Sequence, residues 1–304
     1  MSEARNPQVV GLGQCSLDIL GQVDRYPEPD CKAELSRLLI QGGGPVATAL
    51  VTLARLGVPV AMVGAVGEDE FGKQIVLGLQ QELVDCTQLS ILPGASQVAF
   101  VAVDACGRRT IFWHRGSVSP AIPVAASDFL PASARVLHLD GLHLDAAVAA
   151  ATLARTRKVT TVLDAGTLRP GMAALLPLID HLVVSERFAR QFSRRDEASA
   201  VLQELAQFGA KAVTITCGEA GSLSLSAEGV NIRQPAFPVA AVDTTGCGDV
   251  FHGGYIYGLL QKWPLPQIVR FAAACAALKC TALGGRTAIP TLPQVTNFLD
   301  KHTG

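Results

Sequence analysis

The feature that most narrows the fold is a regular alternation in the second half of the chain. Residues 136–139, 161–164, 181–184 and 212–216 are short, largely apolar runs that read as buried strands. Stretches with helical periodicity lie between them, among them 146–157 and 198–208. Strands and helices alternating at this spacing imply a parallel sheet covered on both faces. The predicted fold class is therefore α/β, a doubly wound, mostly parallel sheet with helices on both faces. The composition suits it. Of 304 residues, 49% are hydrophobic but only 5% aromatic, so Ala, Val, Leu and Gly fill the interior, as they do where helices pack on a parallel sheet.

The first half is less regular. Residues 9–13 read as a buried strand, 17–23 as strand-like sequence, and 32–40 as an exposed strand mixing polar and apolar positions. Gly42-Gly43-Gly44-Pro45 precedes a helix over 46–56 that Gly57 closes, with proline at the start and glycine just past the end. Residues 60–66 form another strand. Segments 97–103 and 109–114 flank Asp104-Ala105-Cys106-Gly107 and predict a hairpin with one wet face. Near the C-terminus, helices over 250–262 and 265–281 are split by Trp263-Pro264.

Charge and cysteine content exclude several classes. The formal net charge is -1, and the compact basic clusters Arg108-Arg109 and Arg194-Arg195 read as solvated patches, so no nucleic-acid partner is expected. No apolar run is long enough to cross a bilayer. The nearest, 271–283, is interrupted by Lys279. The eight cysteines show neither a CxxC pair nor zinc-finger spacing, and the first eight residues are polar and include Pro7. Free thiols, no visible signal peptide and a cytoplasmic location are expected.

Two motifs look informative and are set aside. Gly67-Glu68-Asp69-Glu70-Phe71-Gly72-Lys73-Gln74 nearly spells a Walker phosphate loop, but Gln74 stands where a metal-ligating hydroxyl is required, and three acidic groups would repel polyphosphate. Gly11-Leu12-Gly13 follows a strand, yet Ser16 occupies the third glycine position of a dinucleotide fingerprint. A tight turn explains it better.

The chemistry is carried by Val242-Asp243-Thr244-Thr245-Gly246-Cys247-Gly248-Asp249-Val250-Phe251-His252-Gly253-Gly254. Small residues at 246–248 let a main chain approach a ligand closely. A helix follows at once, so its free first-turn amides and its dipole form an anion site. Asp249 lies in that first turn. Alone, an aspartate there serves the helix dipole equally well. Paired with an anion-binding loop, it suits phosphoryl transfer, in which amides stabilise the transferring oxygens and a carboxylate takes the proton of the attacking hydroxyl.

This segment resembles the second signature of the ribokinase (PfkB) family of carbohydrate kinases, DTTGAGD, with Cys247 in the alanine place. Gly42-Gly43-Gly44-Pro45-Val46-Ala47 resembles the first signature, with Thr48 where Asn is usual, and Val63-Gly64-Ala65-Val66-Gly67-Glu68-Asp69-Glu70-Phe71-Gly72 resembles the family's VGxVGxDxFG stretch. The resemblance implies a ribokinase-like fold over 1–304 as a single domain, with a discontinuous β-sheet lid from about 14–41 and 95–115. It implies Asp249 as catalytic base and the main chain of Gly246, Cys247 and Gly248 as anion hole. Asp18, Gly42, Gly43, Thr48 and Lys32 would meet a sugar-like substrate, the two glycines leaving room for the sugar. Thr216-Cys217-Gly218-Glu219-Ala220-Gly221 is similar to the family's TxGxxG element, which places Thr216, Gly218 and Gly221 near ATP, with Cys275 flanking the adenine. Magnesium is implied with ATP. Ser185-Glu186-Arg187-Phe188 replaces the usual NxxE, leaving Glu186 to act through water. A potassium-like ion beside the anion hole is implied with Asp243, Thr245 and the loop Leu283-Gly284-Gly285, although Ala288 falls where a hydroxyl ligand is usual.

The acceptor is less legible. Lys32, Arg109, His114 and Arg115 lie in or near the lid and could pair with an anionic sugar, or serve as solvated edge charges. The Thr48-containing glycine run, Ser185-Glu186, the VFHGG stretch and Ala277-Leu278-Lys279-Cys280-Thr281 with Gly284-Gly285-Arg286 resemble sulfofructose kinases. The stretch Gly141-Leu142-His143, however, lacks an arginine to grip a sulfonate. The expectation is a kinase of a sugar, phosphosugar or sugar acid. The alternatives are a nucleoside kinase of the same fold and a non-catalytic binding relative. A homodimer through the lid is a further expectation.

Overall fold

The thirteen strands among the described residues are β1 (Val9–Leu12), β2 (Ser16–Gln22), β3 (Arg37–Gly43), β4 (Val60–Gly67), β5 (Asp85–Leu92), β6 (Val98–Val103), β7 (Arg109–His114), β8 (Val136–Leu139), β9 (Thr160–Ala165), β10 (His181–Ser185), β11 (Ala212–Thr216), β12 (Ser222–Ser226) and β13 (Asn231–Gln234). Nine of them form one sheet in the order β13-β12-β11-β10-β9-β8-β1-β4-β5. Pairing is parallel from β11 through to β5 and antiparallel only where β12 and β13 extend one edge. This computed structural model describes residues 6–120, 129–195 and 197–302. The extreme N-terminus, read above as free of a signal segment, falls partly outside the described residues.

Both faces of the sheet are covered, and residue alternation shows how. In β1, β8 and β9, Val10, Leu137 and Leu163 join one core, while Val9, Val136 and Val162 join another. The first core takes the alanine-rich helix α3 (Leu144–Thr156), with α4 (Glu186–Phe192) and α5 (Ala198–Ala206). The second takes α1 (Pro45–Arg55), α2 (Glu70–Gln81), α6 (Cys247–Leu260), α7 (Leu265–Lys279) and α8 (Leu292–Asp300). Strands with apolar side chains on both faces are stable only in such a sandwich of helices.

Helix α6 is apolar on nearly every side and lies between α1, α7 and the sheet. Glycine makes that possible. A β-carbon on Gly253 would sit 2.5 Å from Thr52 Cβ of α1, and one on Gly254 would sit 2.9 Å from Ala272 Cα of α7. Both neighbouring helices therefore touch the main chain of α6, which fixes its N-terminus relative to the sheet.

The remaining strands make a separate four-stranded sheet, β3-β2-β6-β7, drawn from two stretches of chain. Its inner face (Leu20, Ala99, Val101 and Val103) packs on Leu283. On the outer face Ile40, Ile19, Phe100 and Phe112 stand in one row across all four strands.

Two expectations change. β3 begins at Arg37 rather than 32. The preceding stretch carries Pro27 and Pro29, which lack amide donors, and Asp30 at φ 63°, so it runs as a loop and puts Lys32 on exposed coil. The Gly11-Leu12-Gly13 run is explained by packing more than by a turn. A β-carbon on Gly11 would meet Val46 and Leu50 of α1, and one on Gly13 would meet Asp140. The Walker-like segment is structural. Asp69 caps α2, accepting from Gly72 N at 2.7 Å, and also accepts from Ser96 Oγ at 2.6 Å and Ser96 N at 2.8 Å, tying α2 to the start of β6.

Candidate active site

The loop before α6 is held from below. The buried Asp243 carboxylate accepts from Thr245 N (2.8 Å), Thr245 Oγ1 (2.7 Å) and Gly284 N (2.7 Å). Cys280 O accepts from Val242 N at 2.8 Å and Asp243 N at 3.2 Å. Gly246 is the N-cap at φ 76°, and a β-carbon there would stand 2.8 Å from Gly285 O, so no other residue fits. The amides of Gly246, Gly248 and Asp249 have no acceptor among the described residues. Cys247 N is partly used by Thr244 O at 3.3 Å, and its sulfur turns to Cys280 Sγ at 2.6 Å. A β-carbon on Gly248 would meet nothing within 4 Å. The helix mouth is therefore open, with free donors.

Asp249 is half-buried at that mouth. Burial, then the neighbouring Asp164 carboxylate, push it up to about 7, against the pull of His252 and Arg109. One turn on, the buried His252 is gripped at both ring nitrogens. Nδ1 lies 2.7 Å from Gly248 O and 3.3 Å from Asp164 Oδ2, and Nε2 lies 3.2 Å from Val183 O. Burial and the adjacent Asp140 hold Asp164 up to about 7. His138, its ring centre 5.6 Å from that of His252, is pushed down to about 3 by burial and stays neutral. Asp140 follows β8 and Asp164 nears the end of β9. The carboxyl ends of parallel strands are where a doubly wound fold collects ligands, a signal that could have flagged both from sequence.

On the acceptor side, Asp18 is buried in β2, accepts from Ser16 Oγ at 2.9 Å, and is raised by burial against the opposing effects of Ser16 and Arg286. The room beside Gly42 and Gly43 has a different occupant from the one expected. A β-carbon on Gly43 would overlap the Asp18 carboxylate, and one on Gly42 the Arg286 guanidinium. Thr48 is also corrected. It is 1% exposed, and its hydroxyl accepts from Arg286 Nε at 3.3 Å rather than opening to the cleft. Arg286 Nη2 donates to Gly43 O at 2.9 Å, so this buried arginine, absent from the expected site, braces the glycine strand against α1.

On the nucleotide side, Thr216 ends β11 and Gly218, at φ 56°, has open space beside it. Gly221 is demanded by packing instead. At φ 91°, a β-carbon on it would run into the main chain from Gln234 to Ala236. Cys275 is a correction. It is wholly buried, with its sulfur against Gly254 of α6, and cannot flank a base. Glu186 opens α4 with its carboxylate 2.7 Å from Arg190 Nη2. Among the described residues no cluster of three His, Cys, Asp or Glu forms a metal cage. An exposed carboxylate already paired with Arg190 suits a magnesium ion carried on a nucleotide and reached through water, rather than one held in a protein cage.

The small sheet touches this site. Arg109 on β7 donates from Nη1 to Thr244 Oγ1 at 2.6 Å, at the edge of the anion loop. His114 accepts from Gly116 N at 3.1 Å, Arg115 lies 5.5 Å over the Trp113 ring, and Lys32 stays remote on its loop. His143 pairs with Ser119 Oγ at 3.0 Å.

The family profile described as pfkB family carbohydrate kinase matches residues 6–292. A ribokinase of Haemophilus influenzae is 29% identical over 95% of this chain and 97% of its own. An ATP-dependent ribose-1-phosphate kinase of Halopiger xanaduensis is also 29% identical, over 97% and 99%. The structure of Arabidopsis thaliana ribokinase complexed with ribose and ATP superposes with a TM-score of 0.85 at 24% identity, covering 97% of this chain and 99% of that one, and shows the shared fold. No helix among the described residues is long and apolar enough to cross a membrane.

The Arg286 brace can be tested directly. Arg286→Met leaves Gly43 O and Thr48 Oγ1 without their donor and should lower the unfolding free energy by about 1–3 kcal/mol in urea denaturation.

Proposed function

Since the chain belongs to the pfkB family of carbohydrate kinases, phosphotransferases with an alcohol acceptor, we propose that it moves the γ-phosphoryl group of ATP onto a hydroxyl of a sugar, phosphosugar or sugar acid. One observation carries this reading. The Asp249 carboxylate and the unpartnered amides of Gly246 and Gly248 share one helix mouth, with the Asp18 carboxylate close enough to be felt at Asp249.

In this reading the free amides and the dipole of α6 hold the transferring oxygens as charge builds on them. Asp249 takes the proton of the attacking hydroxyl. Asp18 orients the acceptor by accepting from its hydroxyls, and the brace of Arg286 on Gly43 keeps β3 in register behind it. Arg109, already at Thr244, carries positive charge to the phosphate end when the lid sheet closes. Magnesium supplies counter-charge to the nucleotide phosphates, and Glu186 would hold one of its waters.

The relatives named for ribose and ribose-1-phosphate support a sugar or phosphosugar acceptor. A nucleoside acceptor has one specific observation in its favour. Trp113 pairs with Ala99 and shares the cleft-side face of the small sheet. The outer face exposes Leu38, Ile40, Phe100 and Phe112, which favours a second copy of this chain pairing lid to lid.

A panel of sugars, phosphosugars, sugar acids and nucleosides, read by ADP release, tests the acceptor. Turnover confined to nucleosides would replace this proposal. On the preferred acceptor, Asp249→Asn should lower kcat by about 10²–10⁴-fold while ATP still binds. Only the carboxylate form of Asp249 can accept a proton, and its pKa is raised to about 7. The plot of kcat/KM against pH should therefore rise through about 7 and fall about tenfold per unit on the acid side. Phe112→Glu should shift the sedimenting species from dimer to monomer with the fold unchanged by circular dichroism.

A further inference from the structure

We infer that the Lys279 ammonium is a built-in monovalent cation beneath the anion loop, filling the place where a potassium ion is implied, and that turnover needs no added potassium. This inference rests on the kinase reading above.

The donor set does not fit a free cation. Both oxygens of the Asp243 carboxylate are engaged, by Thr245 N, Thr245 Oγ1 and Gly284 N. The Thr245 hydroxyl spends its proton on that carboxylate, and Ala288 has no side-chain oxygen. The Asp243 main-chain oxygen, a natural ligand for a large monovalent ion, accepts instead from Lys279 Nζ at 2.8 Å. A protein ammonium already occupies the position.

Lys279 is not an ordinary lysine. It ends α7, is 0% exposed, and ranks among the largest fully buried side chains. No carboxylate among the described residues lies within ion-pair distance of it. A buried charge without an anionic partner is costly unless it is compensated elsewhere. Here its acceptor belongs to the loop that presents the open amides. Its positive charge is felt at Cys247, the first residue of α6, and at Cys280. An anion at the helix mouth supplies the missing compensation. The ammonium then does for a bound phosphoryl group what a bound alkali ion would do, without an ion to lose.

The test compares salts at constant ionic strength. Wild-type turnover should be the same in potassium, sodium and tetramethylammonium chloride. Lys279→Ala should lose about tenfold or more in kcat in tetramethylammonium, and potassium should restore it. A merely structural lysine would show no such ion-selective rescue. Lys279→Met, which fills the space without charge, should lose kcat and stay unrescued. Potassium should also raise the Tm of Lys279→Ala and leave that of wild type unchanged, a readout independent of turnover. Activation of the wild type by potassium would overturn the inference, as would full activity of Lys279→Ala without it. If neither alanine nor methionine variant folds, the wild-type salt series alone decides. If no acceptor is phosphorylated, the kinase reading fails, and the potassium-dependent Tm of Lys279→Ala still decides whether the position holds a cation.

Discussion

The site depends on where α6 begins. A helix presents free amides only if its first turn is left uncapped, and leaving donors open toward a cleft is tolerable only if the rest of the helix is immovable. This chain meets that condition by burying α6 on nearly every side, with Gly253 and Gly254 admitting α1 and α7 to its main chain. Gly246 then turns the entering loop at a positive φ that other residues reach only under strain, against Gly285, while Asp243 ties the loop to Gly284. Remove any of these and the donors either find internal partners or move.

Much of this architecture is legible in the sequence because two periods dominate it. The runs that form β8 to β11 are short and largely apolar, with buried positions on both faces, as central strands of a covered sheet require. Between β8 and β9, α3 carries alanines on the side that meets the sheet, and α5, between β10 and β11, carries Val201, Leu202 and Leu205. The elements not singled out have physical reasons for their silence. β5 is an edge strand whose exposed positions include Ile91, so neither face is consistently apolar. β13 is four residues with no buried side chain. β3 was placed too early because alternation does not reveal where prolines and a left-handed aspartate end a loop.

The site was legible to a different degree on its two sides. The loop at 242–249 could be read because its chemistry is local in sequence: glycines, a helix start and an acid within eight positions. The acceptor side could not. Arg286 reaches Gly43 and Thr48 across more than two hundred residues, and nothing in the glycine run shows that its empty space is already filled by Asp18 and Arg286. Thr48, standing where asparagine is usual, reads from sequence as a substrate contact. Within the fold it is the acceptor of a buried guanidinium, so that substitution and Arg286 are two halves of one feature. Cys275 failed for a simpler reason, since helical spacing near a site does not say which face of the helix meets it.

The balance of charge at the floor of the cleft follows from the same geometry. Asp18, Asp140, Asp164 and Asp249 all have their carboxyl groups raised, with burial the largest cause in each. The cations set against them differ by position: the buried Arg286 acts on Asp18, Arg169 on Asp140 and Asp164, and Arg109 on Asp249. Arg109 alone of these comes from the small sheet, where it reaches Thr244. His252 faces acceptors at both ring nitrogens, Gly248 O being nearer to Nδ1 than Asp164 is, while burial pushes the ring toward its neutral form. Asp164, itself pushed up to about 7 by burial, stops opposing the ionisation of Asp249 whenever it holds its proton. The same ring lies 2.7 Å from Gly248 O and 3.3 Å from Asp164, so the floor beneath the base ties the anion loop to the carboxylate whose charge the base must overcome.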